Sequence, residues 1–145
     1  MSPQVLGLII GGLIPALLFS LNGLLNKLVT QTGTGVGWLL LLTGIGVAAS
    51  SIPFFILLPS GVSSRGVGFS LLMGITWGLG VGLIAVAILK FRSPLSQLVP
   101  LYNMNTLFVV LLSLLIFAEW KSVGIFKLIV GAMFVLVGGT LVALA

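Results

Sequence analysis

The sequence contains no cysteine, no histidine and only one acidic residue, Glu119. The missing thiols exclude disulfides and cysteine nucleophiles. Without histidine as well there are no zinc sites or imidazole bases, and a lone carboxylate cannot form an acid–base pair. No catalytic residue, metal or cofactor is therefore expected, and the chain does not read as an enzyme. Charge of either sign is scarce. Charged residues make up 5% of the 145 positions against 59% hydrophobic ones, with a mean hydropathy of +1.40, whereas soluble domains carry roughly 25% charged residues. This is the composition of an integral membrane protein.

What is present is apolar length. A bilayer core about 30 Å thick needs roughly 20 apolar residues per helix, and the chain supplies five such runs, near 4–30, 37–59, 66–90, 94–118 and 122–145. The expected fold is an all-α bundle of five transmembrane helices. The intervening segments are too short for a soluble domain and force neighbouring helices antiparallel, so one five-helix domain, 1–145, is expected. The first run, Val5 to Leu25, exceeds the roughly 7–15 residues of a signal-peptide core and lacks a basic flank, so it reads as a mature span. The glycines of "GTGVG" lie between two spans rather than between a strand and a helix, which argues against nucleotide binding.

The six lysines and arginines sit mostly at the ends of the apolar runs. They read as anchors to anionic lipid headgroups, not as a nucleic-acid surface. Glu119 lies beside Trp120 and Lys121 at a predicted membrane surface, where pairing with Lys121 or the headgroups is expected. No carboxylate is left at mid-depth for proton-driven export of cations.

Small residues recur at packing intervals. Gly74, Gly78 and Gly82 form an i, i+4 ridge on the third helix, and Gly124, Gly131 and Gly138 repeat every seven residues on the last. In lipid such ridges let helix backbones approach closely, within one chain or between chains. Polar groups are grouped as well. On the fourth helix Tyr102, Asn103, Asn105, Thr106 and Ser113 fall within about half the circumference; on the first, Asn22, Asn26 and Pro15 share a face with Gly11 and Gly12 close by. The third helix adds Trp77 near its centre, and the second adds Thr43, Ser50 and Ser51. Such groups can serve as interhelical glue, worth about 0.6 kcal/mol each. An unpartnered buried amide, however, costs roughly 2–7 kcal/mol, and several near one level beside aromatic rings suit a ligand cavity. The expected substrate-binding residues are Asn22, Trp77, Tyr102, Asn103 and Thr106.

These residues carry a family resemblance. The segment "SPLSQLVPLYNMNTLFVVLLSLLIFAEWKSVGIFKLIVGAMFVLVGGTLVAL" resembles the closing helices of an EamA domain of the drug/metabolite transporter superfamily, with a proline-bearing fourth helix, an acid at its end and a glycine-rich fifth. The opening "LIPALLFSLNGLLNKLV" is similar to that domain's first helix. The resemblance implies a carrier of small metabolites, with the first four helices around a central site and the fifth peripheral. Typical members join two such domains in inverted orientation, so this chain looks like a half-transporter that needs a second copy or a related chain inserted upside down. It also lacks the intramembrane glutamate of the small multidrug resistance relatives.

With five spans, Arg65, Lys121 and Lys127 fall on the N-terminal side of the membrane and Lys27, Lys90 and Arg92 on the other. The orientation bias is nearly absent, which fits dual insertion and an antiparallel homodimer in the plasma or inner membrane. The rival expectation is a non-transporting membrane subunit, docked into a larger complex through its glycine ridges.

Overall fold

The computed structural model describes every residue except Met1, Ser2, Pro59, Glu119, Lys121, Ser122 and Ala145, and describes Pro3, Gln4 and Ala143 by backbone alone. The expected Glu119–Lys121 pairing lies outside the described residues. Secondary structure among the described residues is helical: α1 (Pro3–Leu8), a π-turn (Ile9–Leu13), α2 (Ile14–Gln31), α3 (Val36–Ser50), α4 (Ile52–Leu57), α5 (Ser64–Phe91), α6 (Leu95–Asn103), α7 (Asn105–Ile116) and α8 (Ile125–Ala143). These build five helices long and apolar enough to cross a membrane, Val5–Gln31, Val36–Leu57, Ser64–Phe91, Leu95–Ile116 and Ile125–Val142. The protein is an all-α, multi-pass integral membrane protein. Large apolar side chains such as Phe55, Phe69 and Phe126 stay exposed along the spans, as expected where lipid tails are the solvent.

Three spans are interrupted, each beside a proline. Pro15 has no N–H to offer the carbonyl of Gly11, and its ring would press against that carbonyl. The helix yields just upstream, where the Ile14 N–H bonds to Ile9 O in a π-turn across Gly11 and Gly12. In the second span Pro53 follows a turn at Ser51, where the Ser50 and Ser51 hydroxyls donate back to Val47 O and Ala48 O, both at 2.7 Å. Back-bonding of this kind bends helices. The fourth span carries Pro100 inside α6 and breaks at Met104. The ladder tightens there to Met104 N–H on Leu101 O and Leu107 N–H on Met104 O.

The links are short and locally determined. Gly33, at φ +79°, turns the chain between α2 and α3, while the Thr32 hydroxyl donates to Val29 O. Ser63 caps α5 by accepting from the Gly66 N–H at 3.0 Å. Arg92 ends α5 in the left-handed region, φ 53°.

The chain divides into two compact units, Met1–Arg92 and Ser93–Ala145. In the first, α5 packs against both α2 and α3, with Leu39, Val81 and Ala85 buried and Val29, Val36 and Leu40 around them. Gly82 belongs to this contact: a Cβ built there would lie 3.2 Å from Leu40 Cδ1 and 3.6 Å from Val36 Cγ1. Gly74 and Gly78 have nothing within 4 Å of a built Cβ, so among the described residues the ridge read from sequence closes on a neighbour only at its Gly82 end. In the second unit α6 packs against α8. The face of α8 that is half-buried runs through Leu128, Ala132, Leu136 and Gly139, and a Cβ at Gly139 would sit 3.5 Å from Pro100 O. Gly131 and Gly138 lie on a different face, where a built Cβ meets nothing within 4 Å among the described residues.

Candidate functional site

The first unit contains a cavity of about 330 Å³ between α2, α3 and α5. On α2, Asn22, Leu25, Asn26 and Val29 line it, at positions i, i+3, i+4 and i+7 of one helical face. Leu39, Leu42 and Thr43 repeat that spacing on α3, and Val81 supplies the α5 wall. The lining is apolar apart from two amides and one hydroxyl, and it includes no ionisable side chain.

Asn26 is the most constrained of these groups. It is 7% exposed, and its Nδ2 donates to Val81 O at 3.4 Å, joining α2 to α5. A carbonyl can only accept, so this bond decides which way the amide faces. The nitrogen meets Val81 and the oxygen is left over. Oδ1 is buried without a hydrogen-bond partner among the described residues, a condition that costs roughly 1–3 kcal/mol unless a donor arrives. Thr43 Oγ1 donates to Leu39 O at 2.7 Å on its own helix. Its proton is thereby engaged and its lone pairs remain available. Asn22, half-buried one turn before Asn26, has no side-chain hydrogen bond among the described residues. Thr30, one turn beyond Asn26, is buried and satisfied by Lys27 O at 2.7 Å.

Of the residues expected to bind substrate, Asn22 alone lines this cavity. Trp77 lies on α5 one turn before Val81 and is 39% exposed, outside the lining. Tyr102, Asn103 and Thr106 belong to the second unit, at the break between α6 and α7. Tyr102 is half-buried, whereas Asn103 and Thr106 are exposed, and the Thr106 hydroxyl donates to Asn103 O at 2.9 Å. Asn26 and Thr43 were visible in the sequence as polar members of their helices but were not expected at the site. Their signal was the i, i+4 pairing of Asn22 with Asn26 and of Leu39 with Thr43. Among the described residues no cluster of His, Cys, Asp or Glu could hold a metal ion.

No protein-family model matches the chain, and no curated protein or solved structure compared with it matches either.

Proposed function

We propose that the protein is half of a secondary transporter that moves a small polar metabolite across a membrane, probing it with the polar groups of α2 and α3. The observation that carries this reading is the cavity containing Asn26, whose amide is nine-tenths buried and half satisfied within a membrane-spanning bundle. Its volume of about 330 Å³ falls at the lower end of ligand pockets, roughly 300–1,000 Å³. The resemblance to EamA domains, the expected antiparallel homodimer or related partner chain, and a plasma or inner membrane location belong to this proposal.

The test is uptake by proteoliposomes containing the purified chain, using a panel of labelled small metabolites. Saturable uptake of one class is expected, with Asn22→Leu weakening its affinity by about 1–3 kcal/mol. Absence of uptake for the whole panel, with stoichiometric co-purification in a larger assembly, would instead establish a docking subunit. That second reading has its own support in Gly74, Gly78, Gly131 and Gly138, where a built Cβ meets nothing within 4 Å among the described residues.

A further inference from the structure

We infer that Asn26 and Thr43 form a subsite that reads hydrogen-bond donors on an uncharged ligand, of the hydroxyl or carboxamide class. The inference rests on the carrier reading and specifies what its cavity selects. Asn26 has committed its nitrogen to Val81 O, and Thr43 has committed its proton to Leu39 O. Thr43 therefore offers the cavity only acceptor lone pairs, and Asn26 keeps an acceptor oxygen beside its one remaining N–H. The buried, unpartnered Oδ1 of Asn26 marks where a donor is missing. Asn22, whose amide both donates and accepts, can complete the contact from one turn away.

The same chemistry disfavours ions. A carboxylate or phosphate would meet the acceptor oxygens of Asn26 and Thr43 with no cationic side chain in the lining to offset its charge. A cation would find oxygen atoms, but no carboxylate and no aromatic ring lines the cavity. Its desolvation would go uncompensated. An O–H or N–H on a neutral molecule satisfies Oδ1 without bringing charge into the bilayer interior, while the ligand's carbon skeleton meets Leu25, Leu42 and Val81.

The experiment measures thermal stabilisation and competition for proteoliposome uptake on the same preparation, using polyols, carboxamides, carboxylates and quaternary ammonium compounds as four arms. Polyols or carboxamides should stabilise the protein and compete, and the two arms separate hydroxyl from amide recognition. Thr43→Val keeps the branched shape and removes an oxygen whose only bond is within its own helix. It should weaken the active compounds roughly two- to tenfold with the ligand-free melting temperature unchanged. Thr76→Val, exposed on α5 and bonded only to Leu72 O and Met73 O, serves as the control and should leave affinity unaltered. Asn26→Asp should shift preference toward ammonium compounds, and the Thr43 variant keeps the test decisive if that protein fails to fold. Stabilisation by carboxylates or quaternary ammonium compounds instead, or full affinity in Thr43→Val, would overturn the subsite while measured uptake left the carrier standing. Absence of uptake and of stabilisation in all four arms would overturn both.

Discussion

At the residue scale the glycines of α5 illustrate how a shared sequence pattern separates into different roles. Gly82 faces Leu40 and Val36 closely enough that any large side chain must displace them. Gly82→Leu should therefore cost about 1–3 kcal/mol by overpacking, measurable as a lower melting temperature in detergent. A Cβ built at Gly78 meets nothing within 4 Å among the described residues; Gly78→Leu should therefore leave the single chain's stability nearly unchanged and, in the proposed dimer, shift the oligomer toward monomer. Equal losses of stability at both sites would contradict this difference in packing. Asn26 and Trp77 make the same point about polar and aromatic residues. Their positions on a helical wheel were legible, but which of them reaches a cavity depends on how α5 meets α2.

At the scale of elements, proline sets the pattern. The π-turn of Ile9–Leu13 exists because Pro15 cannot continue the hydrogen-bond ladder, so Pro15→Ala should allow regular α-helix through Gly11 and Gly12. One recovered hydrogen bond of about 1 kcal/mol should slow exchange of the amides near Gly11 to Ala16 roughly fivefold, and exchange as fast as in the native protein would show that the glycines alone hold the π-turn. The five spans were legible in hydropathy to within a few residues at most ends, for example 66–90 expected against Ser64–Phe91 found. The breaks at Ser51 and Met104 were less so. A proline signals a weakened ladder, but the residue at which the helix yields is chosen by local bonds such as Ser51 Oγ to Ala48 O.

At the scale of the whole molecule, charge placement governs membrane orientation. Counted along the sequence, alternating spans would divide the six basic residues three to each side, and such balance predicts insertion in both directions. Because the native chain has no cysteine, Val62→Cys and Gly35→Cys can report this one at a time. Both positions are exposed in links at opposite ends of the spans, and neither removes the Ser63 cap. Each should react only partially, at about half, with an impermeant thiol reagent on intact cells if the charge balance governs insertion. Full labelling at one and none at the other would establish a single orientation and require a different partner chain.

The sequence by itself determined that this protein lives in a membrane, that its spans are helices, and that thiol, imidazole and paired-carboxylate chemistry are absent. Those properties follow from composition and from the requirement that every backbone polar group in lipid be satisfied within its own segment. Only the tertiary structure decided that Asn26, not Trp77, borders the cavity, that Val81 takes the Asn26 nitrogen and leaves its oxygen buried without a partner among the described residues, and that α8 turns Gly139 rather than Gly138 toward Pro100. Adjacent residues on a helix differ by about 100° in direction, and apolar residues surround these helices on nearly every side. Hydrophobic patterning therefore does not select the inward face, and the fit of one helix surface against another does.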